Sequence, residues 1–181
     1  MRRVVSLFSG GGVGDLGLVY GHAPTNLVAA CELEATRCDV IRRHFPETRI
    51  FEGDLWELAP SVVKHVKTCG TIFLLVMSPP CQGMSTNGAG RIKSQVKKGR
   101  RCGVDERNRL ILPGLRVASD VMPEWIMIEN VRGMRHEVIR DESDVQINII
   151  DLIRRELVDY DIQSRVIDFA HMGVAQHRER L

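Results

Sequence analysis

Three groups of residues in this chain have types and spacings suited to chemistry. The first centres on Cys81, in SPPCQGMS at 78–85, directly after the apolar run GTIFLLVM. A structural cysteine would sit more comfortably inside such a run. Pro79 and Pro80 fix two φ angles and place this one on a stiff turn, which suits a nucleophile needing exposure and a fixed aim. The second is FSGGGVGDLGL at 8–18. Its Gly10, Gly12 and Gly14 let the backbone approach a ligand at the mouth of a helix. Gly12, Gly14 and Gly17 even satisfy GxGxxG, a weak pattern by itself. The third is a pair of carboxylates at the ends of two apolar runs. Glu32, twenty residues after Gly12, suits two ribose hydroxyls, and Asp54 could accept from an adenine amino group. Each alone would serve as a helix cap or surface group. Together they outline an adenosine-shaped crevice, without separating a nicotinamide dinucleotide from S-adenosylmethionine.

Short apolar runs alternating with helical stretches must position these residues. RVVSLF (3–8), LVAACE (27–32), RIFEGD (49–54), TIFLLVM (71–77), EWIMIEN (124–130) and DIQSRVIDF (161–169) read as strands. A helix opens at DLGLVYGH. Another covers EATRCDVIRRHF (34–45), with Ala35, Cys38, Ile41 and Phe45 on one face and Pro46 just beyond. LAPSVVKHV is a weak helix, and RLILPGLRVASDVM (109–122) a helix despite Pro113. SDVQINIIDLIRRELVDY has the clearest helical pattern. Ser143 would cap it, and Val145, Ile149, Ile150, Ile153 and Leu157 would line one face. Residues 83–108 lack apolar periodicity and form a long loop, usually a functional feature of a compact domain. The alternation predicts an α/β fold, a mostly parallel sheet with helices on both faces, in a single domain over residues 1–181.

Composition narrows the classes. The chain of 181 residues can bury one proper core. No apolar run approaches the roughly 18 residues of a membrane span. VVSLF, between the N-terminal arginines and the glycines, is too short for a signal peptide. Five cysteines without a CxxC pair argue against a disulfide framework or a zinc site, which implies a reducing, cytosolic setting. Cys31, Cys38 and Cys69 read as core or near-surface residues. Net charge is +2, but residues 91–109 hold eight Lys/Arg against two Asp/Glu, a local +6 that leaves −4 elsewhere. A segment carrying Arg91, Lys97, Lys98, Arg100 and Arg101 suits a phosphate-contacting arm.

FSGGGVGDLGL, PPCQGMS, DERNRL (105–110), IENV (128–131) and GVAQHRER (173–180) resemble, in family order, five motifs of the cytosine-carbon-5 DNA methyltransferases. The resemblance implies a Rossmann-like S-adenosylmethionine-dependent methyltransferase fold acting on double-stranded DNA, in the cytoplasm or nucleus. Its implied catalytic residues are Cys81, Glu129, Arg178 and Arg180. Cys81 would attack carbon 6 of a flipped-out cytosine. Glu129 would hold the ring N3 and exocyclic amine, a role that favours a buried glutamate. Arg178 would reach the cytosine O2, and Arg180 would support the site. S-adenosylmethionine would lie against Phe8, Gly10, Gly12, Gly14, Glu32, Asp54, Pro79 and Leu110. Gln82 and Ser85, with the basic residues above, would contact DNA from a mobile loop over about 83–108. Pro80, Asn130 and Gln176 would hold the site together, Asn130 by bracing the cysteine turn.

The match departs at three places: Val13 replaces a glycine of the first motif, Ala175 a common proline, and HMG at 171–173 a tyrosine-containing run. Family members continue beyond QxRxR with a last strand, a target-recognition region and two closing motifs. The resemblance therefore implies a C-terminally incomplete sheet, or a second polypeptide supplying the remainder. Competing readings are a tRNA cytosine-5 methyltransferase and a non-catalytic DNA-binding or regulatory subunit.

Overall fold

The computed structural model describes residues 1–21, 25–80 and 106–181. They fall into two compact units, one of residues 1–78 with 113–128, the other of residues 79–112 with 129–181.

The first unit is built on five strands: β1 (Arg2–Leu7), β2 (Thr25–Glu32), β3 (Arg49–Glu52), β4 (Leu74–Met77) and β5 (Trp125–Ile128). They stand in the order β3-β2-β1-β4-β5, and every neighbouring pair is parallel. Parallel neighbours need long crossovers, usually helical. Helices α1 (Val13–Val19), α2 (Ala35–His44), α3 (Leu55–Thr68) and α4 (Ile111–Val121) fill them. Central β1 is buried on both faces, with Val4, Val5, Ser6 and Leu7 each at most 2% exposed. That explains why it reads as a near-continuous apolar run, broken only by Ser6, instead of an alternating one. Val4 packs with Leu27, Ala30, Ile41, Phe45 and Val76. Val5, Leu75 and Met77 alternate with them and are equally buried on the opposite face. There Gly114 admits Met77, since a Cβ at that position would lie 3.1 Å from the Met77 sulfur.

The second unit holds an antiparallel hairpin of β6 (Val138–Arg140) and β7 (Gln146–Asn148), then α5 (Ile149–Glu156). It also holds an antiparallel pair of β8 (Ile167–Asp168) and β9 (Glu179–Arg180). Met134, Ile139, Ile149, Leu152, Ile153 and Leu157 are among its buried apolar residues. The helix expected from Ser143 starts only at Ile149, and its cap is Asn148, whose side chain accepts from the Ile150 N–H at 2.9 Å. Asp141 is the reason. Only 4% exposed, its carboxylate accepts from the N–H groups of Ser143 (2.9 Å) and Val145 (3.0 Å) and from Arg155 (2.8 Å). These bonds commit 141–145 to a turn in competition with a helix. The strand expected over DIQSRVIDF shrinks to the two residues of β8. No helix among the described residues is long and apolar enough to cross a membrane.

Candidate active site

In the first unit the register Leu7↔Cys31 and Glu32↔Glu52 aligns the C-terminal ends of β1, β2 and β3. The residues just past those ends, Phe8 to Gly12, Glu32 and Asp54, therefore share one edge of the sheet. That edge, where strand order reverses beside β1, is the usual ligand crevice of such folds. The loop is held in an unusual shape. Phe8, Gly10 and Gly12 have φ of 57°, 57° and 74°. Phe8, being non-glycine, carries strain there. Gly12 must also lack a Cβ, since one would meet the Phe45 ring at 3.1 Å. Gly10 faces open space, with nothing within 4 Å of a Cβ built on it. Gly14 lies in the first turn of α1.

Glu32 fixes this loop. Its Oε2 accepts from the Gly10 N–H at 2.8 Å and its Oε1 from the Glu34 N–H at 3.1 Å, with Arg37 3.7 Å away. A carboxylate has about four acceptor sites, so two backbone bonds leave capacity for hydroxyls. Asp54 caps α3, its Oδ1 accepting from the Trp56 N–H at 2.9 Å. The sequence placed this helix later, at LAPSVVKHV, but a helix cap was already one of the roles open to Asp54 taken alone.

In the second unit Glu129 and Asn130 follow β5 directly. Glu129 Oε1 receives the Arg180 Nε–H at 2.8 Å. The expectation of a buried glutamate is not met, because its side chain is 37% exposed. A charged partner, in place of an apolar wall, sets its surroundings. Asn130, only 2% exposed, donates from Nδ2 to the carbonyl of buried Pro79 at 2.9 Å. Its Oδ1 accepts from the Val131 N–H at 2.8 Å. Its backbone exchanges two hydrogen bonds with Leu181, of 3.0 and 2.9 Å. Pro80 is half-buried after Pro79, and Leu110 ends a short 3-10 turn over Glu106–Leu110. Gln176 donates its backbone N–H to Val174 O at 2.7 Å. Arg178 is exposed.

Cys81, Gln82, Ser85, Arg91, Lys97, Lys98, Arg100 and Arg101 lie outside the described residues. The described cysteines are poor nucleophile candidates. Cys31 and Cys38 are buried. Burial pushes the Cys31 thiol up to about 12, and raises Cys38 as well. Cys69 donates to the His65 carbonyl at 3.5 Å.

Three polar residues escaped the sequence reading. Asp15, 3% exposed, is held near Ser6, and its Oδ2 has no partner among the described residues. Asn108, 1% exposed, donates to Glu137 at 2.7 Å. Asp168 binds the start and end of one loop. Asp15 could have been noticed as a charge within an apolar helix face. Nothing local marks Asn108, whose partner lies 29 residues away; Asp168 is locally legible only as the cap of the turn at Ala170, while His177 and Arg178 lie nine and ten residues on.

Comparison with known proteins bears on the chemistry. Residues 2–181 match the model of the C-5 cytosine-specific DNA methylase family. The Type II methyltransferase M.AquIA of Picosynechococcus is 30% identical over 99% of this chain and 70% of its own length. The Type II methyltransferase M1.HgaI of Avibacterium volantium is 28% identical over 97% of this chain, which spans 47% of that relative. A crystal structure described as a prophage-encoded DNA modification methyltransferase of Escherichia coli superposes with a TM-score of 0.73 at 23% identity. It covers 99% of this chain, which spans 45% of it.

Proposed function

The chain belongs to the C-5 cytosine-specific DNA methylases, and from that premise we propose that it carries the chemistry of a DNA (cytosine-5-)-methyltransferase. The observation that carries this reading is the division of labour at the end of β5. Glu129 is held by Arg180, while its neighbour Asn130 holds the carbonyl of Pro79, two residues before Cys81. An acid for the base and the turn of a nucleophile are thereby tied to consecutive residues.

Carbon 5 of cytosine is a poor nucleophile. Addition of the Cys81 thiolate to carbon 6 makes it enamine-like. Glu129, at the ring N3 and exocyclic amine, shares or donates a proton as charge builds there. Arg178 meets the O2. S-adenosylmethionine, when bound, supplies the methyl group. The glycine loop fits such a ligand: Gly10 opens on free space, and the adjacent Glu32 carboxylate keeps acceptor capacity. Phe8, Gly12, Gly14, Asp54, Pro79 and Leu110 complete the proposed cofactor residues. Loss of the carbon-5 proton and expulsion of Cys81 restore the aromatic ring.

A stacked base must first leave the duplex, at about a few kcal/mol. Gln82, Ser85, Arg91, Lys97, Lys98, Arg100 and Arg101 are proposed to grip the backbone as it does. Target recognition and the remaining motifs are proposed to come from further polypeptide, in the same or a second chain. The test is covalent trapping on duplex DNA containing 5-fluorocytosine, with S-adenosylmethionine and the complete enzyme. An adduct that disappears in Cys81→Ser supports the reading. A folded, cofactor-bound protein that forms none refutes it, and transfer to tRNA alone would reassign the substrate.

A further inference from the structure

We infer that Asp168 is a positioning residue for the QHRER segment, one carboxylate that ties both ends of the 169–178 excursion and thereby sets where Arg178 and Arg180 stand. The inference rests on the roles proposed for those arginines. Asp168 lies in β8, opposite Glu179 of β9. Its Oδ1 accepts from the Ala170 N–H at 3.1 Å, where the excursion leaves, and from the Arg178 N–H at 2.9 Å, where it returns. Its Oδ2 receives the His177 Nδ1–H at 2.8 Å. The backbone closes around the same point, with Phe169 N–H donating to Arg178 O at 3.1 Å and Gly173 turning at φ 84°.

Packing does not account for this arrangement. The His177 side chain is 88% exposed, so its ordering comes from the carboxylate. No hydrogen bond or ion pair holds the Arg178 guanidinium among the described residues, so what the fold fixes is the backbone position from which it reaches out. One residue pair further, Ile167↔Arg180 places Arg180 in β9, from which its Nε reaches Glu129 at 2.8 Å. The geometry therefore runs from Asp168 through the Arg178 amide to Arg180 and Glu129, entirely within the second unit.

The titratable and charged groups on the elements around His177 are Asp168 on β8, His171 on the 3-10 turn Phe169–Met172, Arg178 beside it, and Glu179 and Arg180 on β9. Glu179 is itself paired with Arg132 at 3.1 Å. The His177 contact holds the Asp168 carboxyl down to about 2, and Asp168 in return raises the His177 imidazole. The signs follow. The carboxylate's share of the clamp is present above its ordinary value and is lost as pH falls through about 2. The imidazolium's share is complete below the ordinary histidine value of 6.5 and fades as pH rises through the raised one.

The experiment uses the complete enzyme with Asp168→Ala, Asp168→Asn and His177→Ala. Asparagine keeps an oxygen for both backbone N–H groups but cannot pair with an imidazolium. Asp168→Ala should lower kcat for methyl transfer about tenfold to a hundredfold, as expected when a reacting constellation shifts, while the cofactor Kd stays unchanged. Asp168→Asn should recover most of that rate, and the advantage of wild type over His177→Ala should shrink at alkaline pH. Unchanged kcat in Asp168→Ala overturns the inference, as does a parallel loss of cofactor binding that Asn does not rescue. If wild type transfers no methyl group, the proposed function fails, and hydrogen exchange decides Asp168 separately. Faster exchange of the Arg178 amide in Asp168→Ala supports the clamp; equal exchange removes it.

Discussion

Replacing Asn130 by alanine should cost about 3 kcal/mol of folding free energy and slow capture of the target base. The side chain makes two bonds, to the Pro79 carbonyl at 2.9 Å and from the Val131 N–H at 2.8 Å. Alanine removes both and leaves a buried acceptor and a half-buried donor unpaired. A buried group left without its partner costs about 1–3 kcal/mol, and an ordinary bond about 0.5–1.5 kcal/mol. Their sum centres near 3 kcal/mol, which for a chain of this length lowers Tm by roughly 6–12 °C. The two backbone bonds to Leu181 do not depend on the side chain, so that pairing should survive. Asn130→Asp isolates the Pro79 contact. It keeps an acceptor for Val131 but sets a carboxylate oxygen against a carbonyl, and should be no more stable than alanine. Urea unfolding measures the first effect, and the rate of adduct formation on 5-fluorocytosine DNA the second. An alanine variant within about 0.5 kcal/mol of wild type, the range of ordinary surface changes, with an unchanged adduct rate, would refute the assignment of Asn130 as the brace of the cysteine turn.

Two other perturbations separate the roles of buried carboxyls. Glu32→Gln must turn an amide N–H toward either the Gly10 or the Glu34 N–H. It should weaken S-adenosylmethionine about tenfold, or 1.4 kcal/mol, by calorimetry, and an unchanged Kd would take Glu32 out of the cofactor site. Asp15 has its carboxyl raised above 3.8 by burial. The native state therefore holds a proton that the unfolded chain releases, and stability falls as pH rises between the two values. Asp15→Asn should flatten that part of the profile and raise the neutral-pH unfolding midpoint. A midpoint that drops, with the slope retained, would show the charge to be needed.

Glu32 and Asp54 illustrate how far local pattern reaches. Both stand where the alternation of apolar runs placed them, at the ends of β2 and after β3. Yet Asp54 is already engaged as a helix cap and Glu32 as the strut of the glycine loop. Strand–helix alternation is a short-range signal, because a strand buried on both faces must be apolar throughout and a covering helix must be apolar on one stripe. The parallel five-stranded sheet follows from it directly.

The second unit resisted the same reading. A helical spacing from Val145 to Leu157 was real but incomplete, because the Asp141 carboxylate captured two backbone N–H groups and an arginine fourteen residues away. Its pairing with Arg155 leaves no mark on the apolar period, which registers burial and not polar contacts. Asp168 is a similar case, with one acidic side chain meeting a histidine and an amide nine and ten residues later.

By itself, then, the order of residues determined the five strands of the first unit, the loops that follow them, and the chemical groups those loops carry. The closed chain alone decided how these groups are held: Arg180 against Glu129, Asn130 against Pro79, Asp168 against Arg178. The physical reason is range. Burial periodicity repeats every two to four residues and is written locally. A polar group instead satisfies itself with whichever donor or acceptor folding brings within 3 Å or so, and sequence distance says nothing of that.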